Sequence, residues 1–275
     1  MKKSRFSSFL NLLPYYLVAT TIALMFVLPL AWMVSSSLRT PGLPPPRGIE
    51  WLPRPLAWGN YAAIFQLIPL ARYILNSVLV AGLGVVFTLL FASWAGFGMS
   101  QLGPSSRRRL IVLSVGLLMI PLTALWLSRF VMFTELSWID SYLALLAPSI
   151  MGSSSFFVLL LYWAFRRIPA ELFEAARLEG AGPLKIWRRV AMPLVRPTTA
   201  AVAMLTFILY WNDFINPLLY LKSPRLYTLA VGLQQLQQLD RTNWPLLLAG
   251  SVVMTLPVIG LFLLVQKKFL SVVRL

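Results

Sequence analysis

Long apolar stretches alternate with short polar ones along almost the whole chain. Residues Phe6–Leu38, Tyr73–Ser106, Leu110–Ser128, Ser141–Phe165 and Thr242–Gln266 contain no Asp, Glu, Lys or Arg, and Pro197–Leu221 contains only Asp213. Hydrocarbon cannot hydrogen-bond a bare backbone, so a chain crosses a bilayer as a helix of roughly 20 apolar residues. The pattern predicts six such spans, at 14–38, 73–99, 110–130, 142–165, 198–221 and 246–266. The predicted fold class is all-α: a polytopic membrane protein with six transmembrane helices and no soluble domain. Ala92, Gly96 and Ser100, with Gly82, Gly84 and Gly98, set small residues along the second span, where they let helices approach closely. Pro29, Pro121, Pro148, Pro217 and Pro257 fall within or near spans and predict kinks or helix ends. The connection from Arg39 to Arg72 holds Pro41, Pro44, Pro45, Pro46, Pro53 and Pro55, which predicts an extended, irregular segment. Its Trp51, Trp58 and Tyr61 suit either the membrane interface or contact with an external partner.

Composition agrees: 59% of residues are hydrophobic and 12% charged, against roughly 25% charged in a soluble domain. The net charge of +16 is informative through its placement. With the N-terminus cytoplasmic, Lys2, Lys3, Arg5, Arg107–Arg109, the seven basic residues between Arg166 and Arg196, and Lys267, Lys268 and Arg274 all lie inside. That asymmetry follows the positive-inside rule, with both termini cytoplasmic. Dispersal of the charge among spans argues against nucleic acid as a partner. The first apolar stretch is too long for a typical secretory signal and reads as an uncleaved span. There is no cysteine and no histidine, which excludes disulfides, most zinc sites and nucleophile–histidine catalysis. No Gly-Lys pair occurs, so the chain has no P-loop and cannot itself draw on ATP through one. Transport is favoured over enzymatic chemistry, with energy supplied from elsewhere.

The most informative segment is the connection 166–197 between the fourth and fifth spans. Pro169 suits a first helical position, Glu171 the positive end of the helix dipole, and Gly180 a left-handed helix end. Gly182 and Pro183 then turn the chain into a second short helix that Pro193 is predicted to end. Ala175 and Ala176 allow close approach of another surface; Leu172, Phe173, Leu178 and Trp187 offer apolar contact; Glu174, Arg177, Lys185, Arg188 and Arg189 offer charge. Two readings fit this chemistry equally: a rigid block that docks a cytoplasmic partner, or an amphipathic segment lying on anionic lipid headgroups.

Glu174, Ala175, Ala176, Arg177, Leu178, Glu179, Gly180, Ala181 and Gly182, followed by Met192, Pro193 and Pro197, resemble the EAA loop of ATP-binding-cassette importer permeases of the maltose and oligosaccharide type. Asn76–Val80, Met119–Pro121, Ile168–Leu172, Trp211–Phe214, Tyr227–Leu229 with Gly232, and Gln266 fit the same family in order, so the resemblance spans roughly residues 12–270. It implies a permease domain over 14–270, a cytoplasmic N-terminus over 1–13 and a short cytoplasmic tail over 271–275, all in the cell membrane. It further implies a coupling helix that docks on a separate ATPase through Glu174, Ala175, Ala176, Glu179, Gly180, Ala181, Leu184 and Trp187. The implied assembly holds a second related permease subunit, two ATP-binding-cassette ATPase subunits and an extracytoplasmic substrate-binding protein. ATP and magnesium would be bound by the ATPase partner, leaving this chain without a cofactor. Glu179 stands where the family usually has Asp, Leu127–Phe130 lacks the family's second proline, and Ser271–Leu275 lacks its glycine-containing tail.

Asn212 and Asp213 lie within the predicted fifth span. A carboxylate at that depth costs at least about 2.5 kcal/mol on insertion scales and should face a cavity or a partner. Two readings remain for Trp211, Asn212, Asp213 and Phe214: lining of a solute path, with Trp211 stacking on a sugar ring, or a packing network at a helix end. The function so read is the membrane-spanning permease of an ATP-driven, binding-protein-dependent importer for an oligosaccharide or related carbohydrate. The alternatives are uptake of another small solute such as glycerol phosphate, ion-coupled secondary transport, and a membrane enzyme.

Overall fold

The computed structural model describes residues 5–43, 48, 50–151, 154–240 and 242–273, with side chains from Pro14 to Gln266. Two compact units emerge, one from residues 1–69 with 233–255, the other from 70–232 with 256–275. Among the described residues the regular structure is helical.

In the first unit, α1 (Arg5–Ser37) is an uninterrupted helix despite Pro14 and Pro29. From Pro14 to Ser37 it is long and apolar enough to cross a membrane, and Leu24, Met25 and Phe26 on it are exposed. Its C-terminal serines hold the connection that follows. Ser35 Oγ donates to the Trp51 carbonyl at 2.6 Å, and the buried Asn60 amide donates to the Ser37 and Arg39 carbonyls, each at 2.7 Å. Arg39, itself buried, forms an ion pair with Glu50 and lies over the Trp244 ring at 5.5 Å. The connection is therefore not irregular throughout: Gly59–Leu67 forms α2. No proline falls between Pro55 and Pro69, and Tyr61–Leu67 offers helix formers with no breaker.

The second unit is built around α3 (Leu70–Gln101). Against it pack α6 (Tyr142–Ile150), α7 (Ser155–Arg166) and α11 (Arg196–Trp211). Small residues make the crossings close. A Cβ placed on Gly96 would sit 2.9 Å from both the Tyr162 nitrogen and the Val158 oxygen of α7. At the other end of α3, Asn76 Nδ2 donates to the Arg225 and Tyr227 carbonyls at 2.9 Å, and Ser77 Oγ accepts from the Leu229 nitrogen at 2.7 Å. Leu229 opens α13 (Leu229–Leu239), whose Gly232 abuts the Tyr73 ring. Asn76 and Tyr227–Leu229, distant in sequence, are thus one joint.

Two predicted spans depart from continuity. Pro104–Leu118 (α4) and Leu122–Glu135, which contains α5 (Trp126–Glu135), meet at 85°. Pro121 has no N–H to give and forces Ile120 out of helical geometry, so span 110–130 cannot run straight. The region 142–165 holds α6 and α7, and Tyr142–Arg166 is long and apolar enough to be a single span. Span 198–221 breaks after Trp211 and resumes as α12 (Ile215–Tyr220). Four helical stretches (Pro14–Ser37, Leu70–Gln101, Tyr142–Arg166 and Trp244–Gln266) are long and apolar enough to cross a membrane, and up to six are if each of two bent pairs is one span. The last of the four lies in α14 (Trp244–Val273).

A further joint lies outside the spans, in the connection between α5 and α6. Asp140 adopts a left-handed conformation with φ of 60°, which Asp tolerates through its short polar side chain. Its backbone N–H donates to the Tyr220 carbonyl at 2.7 Å. Its carboxylate accepts from the Ser223 hydroxyl, the Ser223 N–H at 2.8 Å and the Lys222 N–H at 2.9 Å. These donors, the Ser223 hydroxyl first, hold its pKa below the ordinary carboxylate value.

Gly96→Ala is expected to destabilise the protein by about 1–3 kcal/mol through overpacking against helix backbone, whereas Gly82→Ala, with open space around it, should not. Thermal unfolding midpoints in detergent distinguish the two. For Asp140, a depressed folded-state pKa means the joint contributes fully above the unfolded carboxylate value of about 3.9 and weakens as pH falls through the lower folded value. Hydrogen-exchange protection of the Lys222 and Ser223 amides should therefore fall with acidification in that window, and be low at every pH in Asp140→Ala.

Candidate functional site

The connection between α7 and α11 folds as a compact helical block. α8 (Ala170–Leu178) has Pro169, predicted as its first helical residue, as its N-cap instead, so the helix starts one position later. Its end is a Schellman motif. Gly180 N–H donates to the Arg177 carbonyl at 2.9 Å and Ala181 N–H to the Ala176 carbonyl at 3.0 Å, with Gly180 at φ of 76°. After Gly182, α9 (Pro183–Ile186) starts on its proline and passes into a π-helical turn over Trp187–Ala191, then α10 (Met192–Leu194). Pro193 does not end this helix. The wider turn before it accommodates a residue that lacks an N–H and would clash with the carbonyl four residues back. The break comes at Val195, after which α11 leaves at 86° to the Pro183–Leu194 segment.

This block is clamped to the bundle by aromatic contacts. The Phe97 ring meets Phe165 at 5.6 Å and Phe173 at 6.0 Å, both edge-on, and Trp94 meets Trp187 at 5.7 Å. Arg177 donates to the Gln101 side-chain carbonyl at the end of α3. Phe173 and Ala176 are therefore buried against the bundle, and Trp187 and Ala181 are half-buried. The face left open carries Glu174, Ala175, Glu179, Gly180 and Leu184 from the predicted set, with Leu178 at 91% exposure. Helical spacing explains the split: Phe173 and Ala176 share one face of α8, while Glu174, Ala175 and Leu178 share the other.

The second candidate is a cleft of about 500 Å³ within the same unit. Thr88 of α3, Arg129 of α5, Ser149 of α6, Thr206 and Tyr210 of α11, Asp213 in the helix break, and Asn216 and Tyr220 of α12 supply its polar lining. Among Trp211, Asn212, Asp213 and Phe214, Asp213 alone lines it. Trp211 is 1% exposed and stacked on Phe207 at 5.3 Å, so its indole packs in the interior. The Asn212 amide turns back to the Ile208 carbonyl at 3.0 Å, and Phe214 is half-buried. Asp213 accepts from the Asn216 N–H at 3.2 Å and the Asn216 amide at 2.9 Å, restoring partners to backbone that the break would leave open.

Comparison with known proteins now bears on the block. The family model described as binding-protein-dependent transport system inner membrane component matches residues 84–267. The chain belongs to this family. This inner membrane component is also 32% identical over 253 residues to the arabinooligosaccharides transport system permease protein of Halalkalibacterium halodurans, covering 91% of this chain and 90% of that protein. It is 29% identical over 266 residues to the sulfoquinovosyl glycerol transport system permease protein of Agrobacterium fabrum, covering 96% and 93% respectively. Its fold matches a chain of a bacterial ABC transporter involved in the import of the acidic polysaccharide alginate, with a TM-score of 0.77 at 22% identity over 98% of this chain and 99% of that one. Like its family, this component is a multi-pass membrane permease subunit.

Sequence reading of the inner membrane component passed over Arg129, Thr206, Tyr210 and Tyr220. Each lies in a mostly apolar run, and only the 85° bend and the break at 212–214 turn them toward one space. On the block, Gly180→Ala is expected to cost about 1–2 kcal/mol, the penalty of a left-handed backbone for a residue with a Cβ. Gly182→Ala, at φ of −69°, should cost much less. Faster tryptic cleavage after Arg177 in Gly180→Ala alone is the expected readout.

Proposed function

We propose that this chain is the permease subunit of an ATP-driven importer that takes up an oligosaccharide or related carbohydrate delivered by an extracytoplasmic binding protein. It pairs with a second, related permease, and two ATPase subunits bind ATP and magnesium on its behalf. Both termini and the 166–197 block lie on the cytoplasmic side, where the basic residues concentrate. One observation carries the reading: a block clamped to the bundle by Phe97, Phe165 and Phe173 still leaves Glu174, Leu178, Glu179 and Leu184 uncovered. An amphipathic segment resting on lipid would present its basic side chains together with its apolar ones. Here the open face of α8 presents acid beside leucine, which suits a basic, apolar cleft on a protein partner better than an anionic headgroup layer.

The mechanism follows from rigidity. A partner that grips α8 moves it as a body, because the Schellman end and the aromatic clamp remove internal slack. The motion passes through the π-turn and the Val195 break into α11, whose other end borders the cleft at Tyr210 and Asp213. ATP-driven closure of the two motors then alternates the cleft between the two sides of the membrane. The carbohydrate assignment draws on the names of the relatives, which include an arabinooligosaccharide permease.

Glu174→Lys tests the docking role. Normal abundance in the membrane with a loss of about tenfold in binding-protein-stimulated ATP hydrolysis by the reconstituted complex is expected, equivalent to about 1.4 kcal/mol of lost coupling. Full stimulated hydrolysis in that variant would exclude the docking face.

A further inference from the structure

We infer that Arg129 reads an anionic group on the solute, and that the carbohydrate this permease passes is an acidic one, a saccharide carrying a carboxylate or an equivalent anion. The inference rests on the carbohydrate reading above and deepens it.

Arg129 is half-buried in the wall of the cleft, in the first turn of α5 beyond the bend that separates α4 from α5. A guanidinium cannot shed its charge, and in a mostly apolar wall it calls for an acceptor of matching geometry. Among the described residues none forms an ion pair or hydrogen bond with it; the ion pair found there is Arg39 with Glu50, in the other unit. The carboxylate that shares the cleft, Asp213, already accepts two bonds from Asn216 and serves the helix break. A fixed positive group is thus left facing the space through which a solute would pass.

A second observation points the same way. The Thr206 and Tyr220 hydroxyls are buried in the same wall, at 0% and 1% residue exposure, and neither has a hydrogen-bond partner among the described residues. Buried hydroxyls without partners are uncommon in folded proteins and are costly unless something else bonds them. Two hydroxyls that can donate or accept, in the lining of the same cleft as one cationic fork, fit a ligand with an anion flanked by hydroxyl groups. A uronic acid has that pattern: its carboxylate takes the two parallel N–H bonds of the fork, and its ring hydroxyls pair with hydroxyls of the cleft wall. A neutral sugar would leave the guanidinium unpaired.

The test uses the complete transporter, with its binding protein, ATPases and second permease, in proteoliposomes. ATP-dependent uptake is measured for a panel of short uronate oligosaccharides and for their carboxyl-reduced, neutral counterparts. The wild type is expected to prefer the acidic member of a pair. Arg129→Gln should lower uptake of that member by at least about tenfold while sparing the neutral one, since a site built to bond a group discriminates by that group. Arg129→Lys, which keeps the charge but loses the fork, should recover part of the loss. Preference for the neutral member in the wild type would overturn the inference and leave the carbohydrate reading standing. Equal losses of both members in Arg129→Gln would also overturn it, marking the residue as structural. Absence of ATP-dependent uptake of either member of every pair would remove the carbohydrate reading and this inference with it.

Discussion

A backbone in hydrocarbon must satisfy its own hydrogen bonds, and everything distinctive about this chain sits where that requirement is locally relaxed. The helical ladder is interrupted at Met119–Pro121, at Val195 and at Asn212–Phe214. Irregular backbone at membrane depth is tolerated where protein or a cavity lines it. Two of the three interruptions border the cleft, through Ile120 and Leu122 at one and Asp213 at the other. The third joins the helical block to α11. The breaks are where the fold can hold a space and where it can bend.

Rigidity on either side of those breaks gives them meaning. The block from Ala170 to Leu194 is held by an edge-on aromatic set around Phe97 and by a glycine end that closes two backbone hydrogen bonds. α3 is held by close approach, with Gly96 against α7 backbone and Asn76 gripping the segment that leads into α13. Between these stiff parts, the π-turn at Trp187–Ala191 and the single residue Val195 absorb the change of direction. A force applied to α8 therefore has few places to dissipate before it reaches α11.

Much of this was legible beforehand, for reasons that can be stated. Long uncharged runs mark spans because lipid punishes charge wherever it falls, so Pro14–Ser37 and Trp244–Gln266 followed from counting alone. Gly180 was legible because few other residues adopt its backbone conformation cheaply. What escaped were directions. Residue chemistry offered Phe173 and Ala176 to a partner together with Glu174, yet the helix phase puts them on opposite faces, and which face meets the bundle depends on Phe97 and Phe165 far away in the chain. The proline-rich connection concealed α2, which fits in the gap between Pro55 and Pro69. Pro193 looked like a terminator, but one widened turn lets the helix continue past it. Trp211 looked like a ring for stacking on a sugar and is instead packed on Phe207.

The two charges of the cleft show why a polar residue in a span must be judged by its partners rather than its presence. Asp213 drew attention from sequence as the one acid in an apolar run, and its oxygens are occupied in repairing the break that admits it. Arg129 drew little, sitting near the end of a predicted span where a basic residue could reach water. The 85° bend at Pro121 turns α5 so that Arg129 lines the same cleft as Thr206 and Tyr220, whose hydroxyls also lack partners among the described residues. A satisfied charge explains architecture; an unsatisfied one, in the wall of a path, asks what passes by. By that criterion the specificity of this permease rests with Arg129 more than with Asp213.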